Sequence, residues 1–251
     1  MKRFFVEQID SKEGSFTVRG PEARHIARVL RMGPGDRFIL MDRTGARYEV
    51  TVASCDRHEV RVFLERPLPS PPVSPVDITL CQALLKSGPM DYIIQKTSEL
   101  GVKRILPFVS ERTVIRPDPE GFRTKARHWQ EIARNAATQS DRAVPADIGP
   151  LHFFDHMIAH LKGENALKII LWEGENCRDL KGVLAETPRL ESIVGVVGPE
   201  GGLTPAEVEL AREGGFHPAS LGHRILRAET AAQTLVAILQ YERGDLSLAD
   251  P

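Results

Sequence analysis

Two glycine-bearing stretches offer the most chemistry in this chain. Gly195-Val196-Val197-Gly198-Pro199-Glu200-Gly201-Gly202-Leu203 follows a β-prone run and precedes Thr204-Pro205-Ala206-Glu207. Glycines there let a ligand approach the backbone closely and permit positive φ angles. The spacing is neither the dinucleotide fingerprint G-x-G-x-x-G nor a phosphate loop ending in Gly-Lys-Ser/Thr. Taken alone it is equally a glycine-rich strand-to-helix turn. The second stretch, Leu221-Gly222-His223-Arg224-Ile225-Leu226-Arg227-Ala228-Glu229-Thr230-Ala231, puts Arg227 and Glu229 two residues apart at another strand exit. Alone, that pair is equally a solvated ion pair on an exposed loop. Two such loops after adjacent strands can wall one pocket.

Two further groupings carry charge or ligating atoms. Arg24, Arg28 and Arg31 recur at i, i+4 and i+7 with Arg19 just before them, so a helix over 22–31 would present them on one face. Such a row can track RNA phosphates; by charge alone a solvated helix face is the preferred reading. Aromatic residues are only 6% of the chain, which argues against base stacking along a broad surface. His152, His156 and His160 would align on one helix face and could hold a transition metal. No HExxH accompanies them and no further ligand converges, so no metal is expected. Cys55, Cys81 and Cys177 are far apart, with no CxxC, and suggest neither a disulfide framework nor a zinc site.

The elements that must position these residues fall into two parts. Residues 67–75 contain five prolines in nine residues and act as a stiff spacer that continues neither a helix nor a central strand. Before it, over 1–70, short β-prone runs at 38–41, 48–52 and 60–64 with one helix near 22–31 predict a small β-barrel. After it, over 76–251, strands at 77–84, 103–109, 167–172, 192–197 and 217–221 alternate with helices. That alternation predicts an α/β domain built on a mainly parallel sheet, with ligands at the carboxyl ends of its strands. Asp91 is the expected cap of a helix running to Leu100, with Gly101 as its C-terminal stop. Thr204-Pro205-Ala206-Glu207 reads as a capping box with proline at the first helical position. The last helix is expected over 230–243, with Leu235, Val236, Ile238 and Leu239 as core or interface.

Composition sets the class. Hydrophobic residues make up 41% and charged residues 27% of the 251, ordinary for a globular protein. No apolar run approaches the roughly 20 residues of a membrane span. The start lacks the apolar core of a signal peptide, so a cytoplasmic location is expected. Net charge is −1, yet residues 1–70 hold 13 Lys and Arg against 10 Asp and Glu. Any RNA footprint must therefore be a local patch.

The wording of both loops resembles one family. Gly-Pro-Glu-Gly-Gly at 198–202, then Leu-Gly-x-Arg-Ile-Leu-Arg-x-Glu-Thr-Ala at 221–231, is similar to the bacterial methyltransferases that act on N3 of a uridine in 16S ribosomal RNA, within the SPOUT superfamily. Ile93–Val102, Ser110-Glu111-Arg112 and His25–Arg31 followed by Gly35-Asp36 agree, and the likeness runs from about residue 2 to 244. It departs at Thr138-Gln139-Ser140-Asp141-Arg142, where the family often has Glu-Gln-Ser-Gly-Arg, at Lys86–Pro89 and at His223. The resemblance implies a PUA-like β-barrel domain followed by an α/β domain with a deep trefoil knot. It also implies a homodimer, S-adenosyl-L-methionine (SAM) as cofactor, and the small subunit's 16S rRNA as partner. By the same resemblance Leu171, Trp172, Glu173, Gly198, Glu200, Gly201, Gly202, Leu221, Gly222, Ile225, Leu226, Arg227 and Thr230 surround the cofactor. Arg19, Arg24, Arg28 and Arg31 then meet RNA.

Methyl transfer to N3 requires the base edge and the methyl to be held in line, and negative charge spreads onto the uracil oxygens as the N3 proton leaves. Arg227 is expected to stabilise that charge, with Glu229 or Glu200 accepting the proton or fixing its own loop. Three rivals remain at this level: methylation of another base or a ribose 2′-oxygen, an RNA-binding module without catalysis, and a nucleotide-dependent oxidoreductase. The missing dinucleotide fingerprint counts against the last.

Overall fold

The computed structural model describes residues 1–11, 14–42, 44–116, 118–174 and 178–246. The chain forms two compact units, one of Met1–Val73 with Ala137–Pro145, the other of Ser74–Ala136 with the chain from Ala146 on. Residues 137–145 thus belong with the first unit although they lie within the stretch 76–251.

In the first unit, strands β1 (Arg3–Val6), β2 (Ser15–Arg19), β3 (Arg37–Asp42), β4 (Arg47–Cys55) and β5 (Glu59–Pro67) form a sheet in the order β1-β3-β4-β5-β2. Only β1 and β3 pair in parallel. Alternation sends Phe38 and Leu40 of β3, and Val60 and Val62 of β5, into one core with Phe4, Val18 and Ile26, as a half-buried sheet requires. The register of β4 on β5 shifts at Glu49/Val50 and Val52/Ser54. Asp42 is buried at the end of β3. Its carboxylate accepts the Ile9 N–H (2.8 Å), the Thr44 N–H (2.8 Å) and hydroxyl (2.7 Å), and the Ala46 N–H (3.1 Å).

The expected single helix over 22–31 is corrected. Helix α1 (Pro21–Arg24) gives way to a π turn over His25–Val29. The Leu30 N–H donates to the His25 carbonyl at 3.0 Å, an i→i+5 bond. Arg31 has left the helix at φ 51°. The proline-rich segment starts out bonded to this unit, with the Leu68 N–H on the Arg47 carbonyl and the Ser70 hydroxyl on Gly45.

In the second unit, β6 (Asp77–Ala83), β7 (Arg104–Val109), β8 (Asp147–Ile148), β9 (His152–Phe153), β10 (Leu167–Leu171), β11 (Ser192–Val197) and β12 (His217–Ala219) build a seven-stranded sheet, order β12-β10-β11-β6-β7-β8, with β9 also on β7. Every pairing is parallel. A parallel sheet is covered on both faces. Here α2 (Ser87–Glu99), α5 (Leu180–Glu186) and α7 (Ala228–Arg243) supply one apolar layer. On the other face, α4 (Phe154–Leu161) and α6 (Pro205–Glu213) pack on Cys81, Ala83, Val194 and Val196. Helix α3 spans Pro119–Gln139. Leu235, Val236 and Leu239 of α7 are fully buried core, and Ile238 packs against them half-buried.

The capping box at Thr204 is complete: its hydroxyl accepts the Glu207 N–H and the Glu207 carboxylate accepts the Thr204 N–H at 2.9 Å. Asp91 is not a cap, because α2 starts four residues earlier; its carboxylate instead takes the Trp129 indole N–H at 3.1 Å and meets His128 at 3.0 Å. Gly101 stops α2 at φ 97°, and a Cβ there would collide with Gln240. No helix among the described residues is long and apolar enough to cross a membrane.

Candidate functional site

A cavity of about 520 Å³ opens in the second unit, beyond the carboxyl ends of β10 and β12, where open parallel sheets bind ligands. One wall is Leu171-Trp172-Glu173, leaving β10; another is Ser220–Leu226, leaving β12; Arg178, Asp179 and Ala231 complete it. Backbone bonds hold these strand exits together. The Trp172 N–H donates to Ala219 (3.1 Å), the Ser220 N–H to Arg178 (3.1 Å) and the Leu180 N–H to Ser220 (3.0 Å). Gly222 turns the second loop at φ 91°. Ile225 is left 88% exposed beside the cavity, an uncovered apolar side chain at a ligand-sized opening.

The glycine loop meets the cavity wall where Gly202 lies against Glu173. After β11 the chain turns at Pro199–Gly202, where the Gly202 N–H donates to the Pro199 carbonyl at 2.9 Å. Gly202 has φ 70°, and a Cβ there would run into the Glu173 carboxylate. Gly198 is closed against Leu203, and the Gly201 carbonyl accepts an Arg112 guanidinium N–H at 3.0 Å. The Glu207 carboxylate of the capping box also takes the Glu111 N–H at 2.8 Å. Ser110-Glu111-Arg112, to which the sequence assigned no role, therefore braces the loop.

Charge is mixed at the rim. Asp179 caps α5 by accepting the Gly182 N–H at 2.7 Å. Arg178 donates to Glu186 at 2.5 Å and faces the His217 ring nitrogen at 3.4 Å. Burial first, then the Arg178 charge, pushes the His217 pKa below its ordinary value.

Of the sequence-derived site, Leu171, Trp172, Glu173, Leu221, Gly222, Ile225 and Leu226 line one cavity, and Gly202 borders it through Glu173. Gly198, Gly201 and Glu200 belong to the neighbouring loop, with Glu200 exposed. Arg227 is the N-cap residue of α7, exposed, and its carbonyl accepts the Ala231 N–H at 2.8 Å. Glu229 is half-buried and Thr230 exposed in the first turn of that helix. Arg178, Asp179 and Ser220 were missed. The signal was available, since they sit where a strand-end site must be.

Arg19, Arg24, Arg28 and Arg31 are all exposed in the first unit, and Arg19 pairs with Glu59 at 3.4 Å. The π turn and the departure of the chain at Arg31 mean that Arg24, Arg28 and Arg31 do not repeat along one α-helical stripe. His152 lies in β9, not on α4, so the three histidines do not share a helix face, although the His152 and His160 rings stack at 5.5 Å. Among the described residues no group of three or more His, Cys, Asp or Glu is arranged to hold a metal. Cys55 and Cys81 are free, and burial pushes the Cys81 thiol far above its usual range. Cys177 lies outside the described residues.

Comparison with known proteins agrees with this architecture. A family model described as an RNA methyltransferase domain matches residues 72–240, and one described as an RNA methyltransferase PUA domain matches 18–65. The chain is 29% identical to ribosomal RNA small subunit methyltransferase E of Bacillus subtilis over 98% of its own length and 100% of the relative's. It is 32% identical to the Synechocystis protein of that name, over 90% and 72% respectively. The crystal structure of ribosomal RNA small subunit methyltransferase E from Neisseria gonorrhoeae, bound to S-adenosyl methionine, superposes with a TM-score of 0.88 at 32% identity, covering 98% of this chain and 100% of that one. The chain belongs to the RNA methyltransferase family, with a PUA domain preceding the methyltransferase domain.

Proposed function

We propose that this chain is a SAM-dependent methyltransferase that modifies N3 of a specific uridine in the 16S rRNA of the small ribosomal subunit. The observation that carries the reading is the cavity beyond β10 and β12, whose two walls are the 171–173 and 220–226 segments, in a chain of the RNA methyltransferase family. Its residues fit SAM. Leu171, Leu221, Ile225, Leu226 and Ala231 offer apolar surface to a flat ring, Glu173 and Asp179 offer acceptors, and Gly202 leaves room beside Glu173.

When bound, SAM supplies a methyl group on a sulfonium, already a good leaving group. The chain must then hold uracil N3 in line at about 3–3.5 Å from that methyl. N3 lies on the pairing edge, so the base has to be unpaired to enter. Arg227 stands at the start of α7 with no side-chain hydrogen bond or ion pair among the described residues. Its guanidinium is available to stabilise charge on the uracil oxygens as the proton leaves. Glu229, half-buried in the first turn, or exposed Glu200 accepts that proton. Arg19, Arg24, Arg28 and Arg31 hold RNA phosphates. The reading takes residues 1–70 as the RNA-binding domain, 67–75 as the spacer and 76–251, apart from the 137–145 segment that joins the first unit, as the knotted catalytic domain. It includes a cytoplasmic homodimer.

Methyl-labelled SAM incubated with small subunits that lack the modification tests the reaction. Label in the rRNA, dependent on the enzyme, is expected; SAM binding without label transfer would remove the substrate assignment.

A further inference from the structure

The first unit holds a second cavity, of about 420 Å³, within the roughly 300–1,000 Å³ of small-ligand sites. Lys2, Arg3, Phe4, His25, Leu30 and Gln139 are among its walls, and no carboxylate lines it. Its floor is rigid. Phe4 is 3% exposed and meets Phe38 edge-on at 4.9 Å. The exposed His25 ring meets Phe4 edge-on at 5.8 Å, at 89°, so one histidine face is left available. Its cations are incompletely neutralised. Asp141 receives Arg3 at 2.9 Å and Arg47 at 2.6 Å, so two guanidiniums share one carboxylate and the trio keeps a net positive charge. The Lys2 side chain is exposed and has no ion pair or hydrogen bond among the described residues, while its backbone carbonyl accepts the Ile39 N–H at 2.9 Å. Arg24 and Arg28, equally unpaired among those residues, flank His25 in the chain.

We propose that this cavity binds one unpaired nucleotide of the RNA substrate, its phosphate on Lys2 and Arg3 and its base against His25 and Leu30, with the Gln139 amide on the base edge. An aromatic face beside two cations is what a nucleotide in a single strand recognises. The site adjoins Arg24 and Arg28 in the chain but is lined by other residues, and the inference rests on the chain acting on RNA.

The test uses the full chain saturated with SAM and a fluorescent ten-nucleotide uridine-containing single-stranded RNA, titrated at several salt concentrations. Uridine monophosphate is titrated in parallel. Lys2→Glu is expected to weaken RNA binding about tenfold and to lower the salt slope by at least about 0.7, the value for one phosphate contact on a single strand. His25→Ala is expected to weaken binding at least about fivefold with the slope unchanged, as loss of one stacked base predicts. Unchanged SAM affinity in both variants keeps misfolding apart from loss of the site. RNA binding equal to the parent's in both variants overturns the pocket and leaves the methyltransferase reading standing. A parent chain that binds SAM but no RNA overturns both. Monophosphate binding as tight as the oligonucleotide's, and equally sensitive to Lys2→Glu, overturns the RNA assignment in favour of a free nucleotide.

Discussion

Gly202→Ala separates the cost of backbone strain from the cost of losing the cavity's geometry. At φ 70° an alanine must adopt the left-handed region, which costs about 1–2 kcal/mol for an L residue. In a chain of this size that corresponds to roughly 2–8 °C in Tm. Its methyl would also strike the Glu173 carboxylate, and Glu173 lines the cavity. Displacing a carboxylate that hydrogen-bonds the ligand removes about 1.5–3 kcal/mol of binding, or about ten- to hundredfold in Kd. Gly215 provides the control. It has φ 85°, nothing within 4 Å of the Cβ an alanine would add and no part in the cavity, so Gly215→Ala bears the backbone cost alone. Thermal melts of both variants, paired with SAM calorimetry, complete the comparison. Similar melts with SAM affinity lost only in Gly202→Ala are expected. Equal SAM affinity in the two variants would refute the placement of Glu173 and the glycine loop at the cofactor.

Other consequences follow from particular contacts. Arg227→Ala should lower the single-turnover rate about 100- to 1,000-fold, the effect of removing one charge-stabilising donor, with SAM affinity largely kept; the reverse pattern would sink its catalytic role. Asp42→Asn should destabilise the first unit by about 1–3 kcal/mol, because the amide keeps one oxygen for the Thr44 and Ala46 donors but turns an NH2 toward the buried Ile9 N–H; denaturant titration reads this. Stability should fall as pH drops below about 6.5. The His152 and His217 pKa values are lowered, both mainly by burial, so the unfolded chain binds protons there that the folded chain does not. Their contribution is complete above the ordinary histidine pKa of 6.5 and is lost as pH falls through the lowered values; a double His152→Asn, His217→Gln variant with an undiminished slope would contradict this.

Local signals with one physical solution were readable from the chain. The capping box needs only Thr204 and Glu207 three residues apart. Strand β11 has the near-continuous apolar run of a strand buried on both faces. The cavity walls were expected because the wording of both loops resembles the methyltransferase family, and the parallel sheet added only that a ligand binds at strand carboxyl ends. What failed depended on long-range packing. The arginine spacing fits an α period, but the buried Ile26 and the i→i+5 bond at His25 set a π turn. Asp91 looked like a cap because its true partners, His128 and Trp129, are more than thirty residues away. Residues 137–145 join the first unit because the Asp141 carboxylate satisfies Arg3 and Arg47. Arg47 is only 8% exposed, and a buried cation needs such a partner. Asp141 also sits at φ 61°, a conformation that glycine takes freely and aspartate tolerates, where the resemblance pattern often has glycine.

The identity of the methylated atom tests the account most directly. Small subunits lacking the modification, treated with the chain and SAM, are digested with nuclease and their nucleosides mapped by mass spectrometry. The account predicts N3-methyluridine at a single 16S rRNA position, formed about 100- to 1,000-fold more slowly by Arg227→Ala. Methyl found instead on a ribose 2′-oxygen or on another base would contradict the assignment of substrate atom while leaving the cofactor cavity in place.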